Sequence, residues 1–411
     1  MISEELLRKY ARLAVCSGVN VQPGQLLVIN ADVRDYRFAE LCTEEAYKAG
    51  AGEVIVEWSD ENVSKMSYDY VATEVLAEVP QWAYDKREYV QNKGCCFLHI
   101  HSKTPGLLKD ADPEKVKAVQ IAAMTKMKPL REYTMNNHGQ WCIVALPSLP
   151  WARKVFPNLD DEQAMDKLTE AILKSVRISA DNDPVAEWKA HNASLASRSA
   201  RLNEFNFDKL HFVSGNGTDL YVGLVRNHNW AGGSCDSTQG VEFNPNMPTE
   251  EVFCMPDRRR VDGKVVASKP LSYGGKVIED FWFEFRDGRV ERHGAEKEEA
   301  TLTDLLNSDE GSRHLGEVAL ISYHSPISLM NILFYNTLFD ENASCHLALG
   351  KCYSENIKNG ENMSEQEIYE AGGNDSMNHV DFMFGTADMR VTGIREDGSE
   401  VTVFEDGDFV F

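Results

Sequence analysis

Basic side chains are in short supply: 42 Lys and Arg stand against 65 Asp and Glu, for a formal charge of −23. Such a surface repels nucleic acid and anionic membranes and argues against both as partners, while suiting a substrate that carries a positive amine. Long apolar runs are missing as well. No stretch approaches the about 18–20 uninterrupted apolar residues of a membrane helix, and Met1-Ile-Ser-Glu-Glu-Leu-Leu-Arg-Lys-Tyr lacks the basic start and apolar run of a secretory signal. The nine cysteines include no Cys-x-x-Cys spacing, and Cys95-Cys96 is their only close grouping. An odd count without metal-type spacing argues against a disulfide framework and points to reduced thiols in the cytoplasm. Neither Gly-x-Gly-x-x-Gly nor Gly-x-x-x-x-Gly-Lys-Ser/Thr occurs, so a nucleotide role has no support. Nor does His-Glu-x-x-His, which removes the zincin mechanism.

What remains is a globular composition, 43% hydrophobic and 26% charged over 411 residues, long enough for about two or three domains. The pattern predicts a helix from Glu4 to Val15 capped by Ser3, a turn at Gln22-Pro-Gly-Gln, and a strand at Leu26-Leu-Val-Ile-Asn. A helix over Arg37–Ala49 ended by Gly50 and a strand at Glu53-Val-Ile-Val-Glu-Trp follow, which makes a parallel βαβ unit. Cys96-Phe-Leu-His-Ile and Trp141-Cys-Ile-Val-Ala-Leu-Pro add candidate strands, with helical pattern over Asp112–Thr134 between them. Further helices are expected at Asp161–Val176 and Pro184–Phe205. After Phe205 the texture changes to alternating strands, Lys209–Ser214, Asp219–Leu224, Val277–Phe285 and Arg289–His293, punctuated by Gly-Asn-Gly, Gly-Gly and Asp-Gly turns. The expected fold is mixed α/β: an N-terminal α/β domain with parallel strands over 1–205, then an antiparallel-rich α+β domain over 206–411.

Four C-terminal segments carry residues that need explaining. Asn246-Met-Pro-Thr-Glu-Glu-Val-Phe holds Glu250 and Glu251, which a strand would point to opposite faces, so periodicity leaves the two tied. In Arg313-His-Leu-Gly-Glu-Val-Ala-Leu-Ile, Gly316 is expected to end a short helix capped by Ser308. Glu317 would then lead an apolar strand, where a buried carboxylate must be paired, protonated or metal-bound. Phe339-Asp-Glu-Asn-Ala-Ser-Cys-His sets His346 where an acidic loop meets an apolar strand, with Tyr353 beyond it. In Asn378-His-Val-Asp, His379 and Asp381 are two apart on a strand and share a face. Taken singly, each has a structural reading: a solvated edge for the glutamate pair, a salt-bridged strand end for Glu317, a core histidine for His346. His99-Ile-His101 has the same spacing as His379-Val-Asp381 and reads as structural.

Together these segments resemble the M29 family of metallo-aminopeptidases, the aminopeptidase T type. The match is carried by Asn246-Met-Pro-Thr-Glu-Glu-Val-Phe, Leu315-Gly-Glu-Val-Ala-Leu, Thr337-Leu-Phe-Asp-Glu-Asn-Ala-Ser with His346, and Gly373-Asn-Asp-Ser-Met-Asn-His-Val-Asp. Weaker similarity extends over nearly the whole chain, through Asp183-Pro-Val-Ala-Glu-Trp and Gly217-Thr-Asp-Leu-Tyr-Val-Gly-Leu. The resemblance implies that Glu251, Glu317, His346, His379 and Asp381 are metal ligands, choosing Glu251 over Glu250, and that Tyr353 is a ligand or catalytic hydroxyl. It implies hydrolysis of N-terminal residues from short peptides by a water that two divalent ions activate, the ions being Zn, Co, Mn or Mg. Glu317 or Asp381 is the candidate bridge between the ions, Glu250 the candidate general base or supporting partner, and Tyr353 the candidate oxyanion donor. A homodimer is implied too, with sites facing an enclosed cavity and the N-terminal domain governing access and assembly. Cys345 and Cys352 flank His346 and Tyr353 but are not expected to be ligands.

Two rival readings stand beside this one. A two-metal phosphoesterase would want Arg or Lys near the ligands; only Arg258, Arg259 and Arg260 lie close in sequence, and they read as a solvated turn. A non-catalytic protein stabilised by metal would leave Tyr353 without a use.

Overall fold

The computed structural model describes residues 2–411. The chain packs as two compact units, Met1–Ala190 with Ser234–Pro248, and His191–Gly233 with Thr249–Phe411. The passage from the first unit to the second thus falls inside the helix Pro184–Phe205, upstream of residue 206, and residues 234–248 return to the first unit. Among the described residues no helix is long and apolar enough to cross a membrane.

In the first unit, Ser3 accepts from the Leu6 amide and caps the helix Glu4–Leu13. The expected strands form one parallel sheet in the order Glu53–Ser59, Leu26–Asp32, Cys96–His101, Trp141–Ala145. Val28 and Phe97, fully buried and paired across two of these strands, anchor its core. The single helical pattern over Asp112–Thr134 is two helices, Pro113–Lys126 and Lys128–Met135. Pro129 explains the break: it has no amide hydrogen to donate and its ring crowds the preceding turn, so it sits at the start of a new helix.

Two antiparallel sheets dominate the second unit, beside a two-stranded ribbon of Leu271–Tyr273 and Lys276–Ile278. The larger has eight strands and runs from Arg289–Gly294 through Trp282–Arg286, Pro256–Val266, Asp219–Leu224, Lys209–Val213, Arg390–Ile394 and Glu400–Glu405 to Asp408–Phe409. The smaller has four, in the order His379–Met383, His346–Gly350, Leu315–Leu320, Val252–Cys254. Their apolar faces share one core, where Phe283 meets Phe382 at 5.0 Å between ring centroids and Phe212 meets Phe384 at 5.2 Å. Alternation along each strand leaves the other face of the smaller sheet to carry polar chemistry.

Three local expectations are corrected here. The strand expected over Val277–Phe285 is two, Lys276–Ile278 and Trp282–Arg286, interrupted where Asp280 takes a left-handed φ of 51°. Arg258, Arg259 and Arg260 lie in the strand Pro256–Val266 and not in a turn. Gly316 does not end a helix; it lies inside the strand Leu315–Leu320, so Glu317 is not its first residue. A Cβ at Gly316 would come within 2.3 Å of the Gly350 carbonyl, so glycine is required there for the two strands to approach.

Candidate metal centre

The register of the smaller sheet makes its polar residues converge. Ala348, on the strand His346–Gly350, pairs with Glu317 on one side and Asp381 on the other, and Gly350 pairs with His379. His346, Ala348 and Gly350 share a face of that strand. A methyl group and a hydrogen atom at the two paired positions leave space over the strand, and the longer side chains of both neighbours fill it. Glu251 joins from the residue just before the strand Val252–Cys254.

The donor atoms close on one another. His346 Nε2 is 3.1 Å from Glu251 Oε2, 3.3 Å from Glu317 Oε1 and 4.0 Å from Asp381 Oδ1. His379 Nε2 is 3.3 Å from Asp381 Oδ1 and 3.5 Å from Glu317 Oε2. Two sets result, Glu251–Glu317–His346 and Glu317–His379–Asp381, each with ligand atoms within 4.8 Å of one another. Glu317 belongs to both, one oxygen to each. On its far side, His379 Nδ1 donates to the Lys351 carbonyl at 2.7 Å, which fixes the tautomer and leaves Nε2 aimed at the carboxylates.

Carboxylates packed this closely demand positive charge. Burial and the neighbouring Glu251 and Asp381 charges push the Glu317 carboxyl up, against the pull of His346 and His379. Burial also works against a charged His379, yet Asp381 and Glu317 raise it to about 10. His346 rises well above the usual imidazole range against the same penalty, drawn by Glu251, Glu317 and Asp381. Asp381 stays below its ordinary value despite burial because His379 and His346 face it. The two imidazoles thus occupy the positive role that a cation would fill. Asp381 Oδ1 is sealed from solvent and has the two imidazoles as its neighbours, His379 Nε2 at 3.3 Å and His346 Nε2 at 4.0 Å, without a hydrogen bond of good geometry, so its charge is balanced by cationic groups. Three carboxylates with two imidazoles are also the chemistry of a divalent-ion site. The residues fit the group.

The family model for thermophilic metalloprotease (M29) matches residues 3–409. The chain belongs to the M29 family. Among M29 relatives, Aminopeptidase AmpS of Bacillus subtilis is 45% identical over 407 residues, 98% of each chain. Aminopeptidase 2 of Geobacillus stearothermophilus is 43% identical over 408 residues, 99% of this chain and 98% of the other. The solved structure of wild-type AmpT from Thermus thermophilus superposes with a TM-score of 0.92 at 38% identity, covering 99% of this chain and 100% of that one. The mixed α/β architecture expected from sequence is therefore the M29 fold. A dioxygenase from Pseudomonas putida shares that fold alone, with a TM-score of 0.53 at 11% identity.

Around these five side chains the structure gathers two further groups. The Tyr353 ring lies 4.7 Å from His379 and 6.2 Å from Phe253, between centroids. Burial and the charges of Glu317, Asp381 and Glu341 hold its hydroxyl well above the usual phenol range, so it stays protonated. Glu341 itself was missed in the sequence. It opens the short 3-10 turn Glu341–Ala343, and burial together with Asp381 and Glu251 pushes its carboxyl well up. The one signal for it is negative: Asp340, beside it, accepts from the Phe334 and Asn336 amides at 2.7 and 2.9 Å, so the loop's own fold consumes that carboxylate. Glu250, by contrast, is turned differently from Glu251. Its Oε2 lies 3.9 Å from His191 Nε2, and its amide donates to Asn342 Oδ1 at 2.7 Å. Cys345 turns its thiol to the Ile321 backbone, 3.3 Å from both N and O, and Cys352 is a buried free thiol. His99 and His101 lie in the parallel sheet of the first unit, where burial holds both imidazoles neutral.

Proposed function

We propose that Glu251, Glu317, His346, His379 and Asp381 would hold two divalent ions, Glu317 belonging to both donor sets, and that this centre carries the chemistry of the chain. The protein is a metal-dependent aminopeptidase. The observation that carries the two-ion reading is the division of Glu317, whose two oxygens face different histidines. When bound, the ions supply an activated water and an electrophilic partner for the scissile carbonyl. The protein's own groups do the rest. Tyr353 keeps its proton and donates it in a hydrogen bond to the developing oxyanion. Burial, Asp381 and Glu251 raise the Glu341 carboxyl, and with that excess negative charge neutralised by bound cations it would fall back into the range where it accepts and returns the proton in hydrolysis. That assigns to Glu341 the base role for which Glu250 was the sequence candidate, and leaves Glu250 as a supporting residue through Asn342. The acidic surroundings draw the α-ammonium of a peptide, which is why cutting starts at the N-terminus.

The donor set admits Zn, Co, Mn or Mg. Exposed aromatic and thioether side chains in the first unit, among them Trp58, Met66, Tyr70 and Trp82, support a homodimer in which that unit serves assembly and access for short peptides. Nine free cysteines support a reducing, cytoplasmic setting. The phosphoesterase alternative loses its basic patch: Arg259 pairs with Asp257 at 2.7 Å, Arg260 with Asp208 at 2.6 Å, and Arg258 lies over the Tyr369 ring at 3.7 Å. Aminoacyl p-nitroanilides assayed beside phenyl phosphates, with and without chelator, test the reading. Chelator-sensitive release from the anilides alone is expected. Full anilide activity in Glu317→Gln would overturn the metal assignment.

A further inference from the structure

Outside the donor set, Asp309 collects hydrogen bonds at the segment that leads into the strand His379–Met383. Its Oδ1 accepts from the Ser312 amide at 2.8 Å, Ser312 Oγ at 2.9 Å and Ser376 Oγ at 2.8 Å. Its Oδ2 accepts from Ser376 Oγ at 3.0 Å and the Met377 amide at 2.7 Å. The two serines pass the restraint on. Ser376 Oγ accepts from the Asn378 amide at 3.1 Å, and Ser312 Oγ accepts from Asn378 Nδ2 at 2.8 Å. Two more bonds reach the site: the Lys351 amide donates to the Asn378 carbonyl at 2.7 Å, and the Lys351 carbonyl accepts from His379 Nδ1 at 2.7 Å.

The packing around this relay leaves little slack. A Cβ at Gly350 would lie 2.1 Å from the Asn378 carbonyl oxygen, and Gly350 adopts a φ of 114° that other residues rarely take. Asn374 Nδ2 ties the same segment to the Gly311 and Gly350 carbonyls at 2.8 and 2.6 Å. The segment is therefore held between the turn at 309–314 and the end of the strand His346–Gly350.

We infer that Asp309 is a positioning residue for the metal centre: it sets the loop that aims His379 Nε2. The inference rests on His379 being a ligand, as proposed above. A carboxylate suits the post because every partner is a donor, and a carboxylate only accepts. An asparagine of nearly the same volume would turn an NH2 group toward at least one of those donors and lose part of the hub. A backbone carbonyl that orients a ligating imidazole is the kind of partner whose loss costs about 10–100-fold in metal affinity.

The test uses the full-length protein and compares wild type with Asp309→Asn, Ser376→Ala and His379→Ala. Asp397→Asn is the control, because that carboxylate serves an exposed turn far along the chain from the donor set, where it accepts from the Ser399 amide. Affinity for zinc and cobalt(II) is measured by chelator competition, and unfolding of the metal-free protein is followed in parallel. Asp309→Asn and Ser376→Ala are expected to bind metal about 10–100-fold more weakly. Their kcat should fall at limiting metal and recover with excess, with KM unchanged and the control matching wild type. Wild-type metal affinity in both variants, with only the metal-free unfolding midpoint lowered, would show that Asp309 holds the loop and nothing more. Wild-type affinity in His379→Ala would instead remove the ligand assignment itself. The two failures are therefore distinguishable.

Discussion

Glu317 and Asp381 stand on opposite neighbours of one strand and face each other across Ala348, whose methyl group is the only side chain between their registers. That relationship makes Ala348 as important to the centre as any charged group. Ala348→Val would fill the gap without adding charge. It is expected to cost about 1–3 kcal/mol of stability by overpacking. It should also weaken metal binding by about tenfold or more, since displaced carboxylates no longer converge. Denaturant titration and metal titration on one preparation read both effects. Unchanged metal affinity in this variant would mean that the strand spacing does not control the site.

The sharing of Glu317 predicts an asymmetry in stoichiometry. Glu317→Gln should abolish binding of both ions. Glu251→Gln and Asp381→Asn each touch one donor set and should each leave one ion bound. Metal analysis after gel filtration separates these outcomes. Metal present at about 100 times its Kd stabilises a folded state by about 2.7 kcal/mol. A rise in unfolding midpoint on adding metal is thus expected in the wild type, a smaller one in the two single-set variants, and none in Glu317→Gln. Equal stoichiometry in all three variants would contradict the shared-ligand geometry.

Tyr353 and Glu341 should separate chemistry from metal binding. Tyr353→Phe removes only a hydroxyl and is expected to lower kcat by about 10²–10³-fold with KM and metal content nearly unchanged. Glu341→Gln keeps shape while removing a proton acceptor, with an expected loss of about 10²–10⁴-fold. Its pH profile should also lose the limb that a carboxyl base produces. A Glu341→Gln enzyme that instead loses a metal ion would reassign the residue as a ligand.

How much of this could be read in the chain depended on whether the deciding contact was local. His379 and Asp381 share a face because strands alternate, and two residues of sequence suffice to see it. The four parallel strands were equally visible, because apolar runs flanked by capped helices carry their own signals. Glu317 was legible as a charged anomaly in an apolar strand, but not its place within that strand, because Gly316 answers to the Gly350 carbonyl thirty-odd residues away. Glu341 was hidden for the same reason. Its direction is set by a turn that Asp340 holds through the Phe334 and Asn336 amides, and nothing in the local pattern distinguishes one acidic residue from the other. Periodicity left Glu250 and Glu251 tied; the contacts of Glu251 with His346 and of Glu250 with His191 are tertiary facts.

The first unit makes a prediction of its own through His99 and His101. Burial, with Arg87 and Lys103 adding repulsion, depresses His99 to about 3 and His101 to about 4. An ordinary unfolded imidazole titrates near about 6.5, so between that value and the folded ones the unfolded chain binds more protons. Stability from these two groups is therefore complete above about pH 6.5 and is lost as the pH falls toward their folded values. Asp35 works the other way. Burial raises its carboxyl to about 6 against the hydrogen bond from Ser102, so its contribution is present below the usual carboxylate range and is lost as the pH rises through about 6. Two histidines against one aspartate leave the net slope with the histidines. Hydrogen exchange on peptides covering residues 96–101 and 141–145 should show protection falling between about pH 7.5 and about pH 5, after correction for the intrinsic rate. The double variant His99→Gln, His101→Gln should flatten that fall, and Asp35→Asn should steepen it by stabilising the neutral-pH state alone. A slope that steepens in the histidine variant would show that the imidazoles are charged in the folded protein.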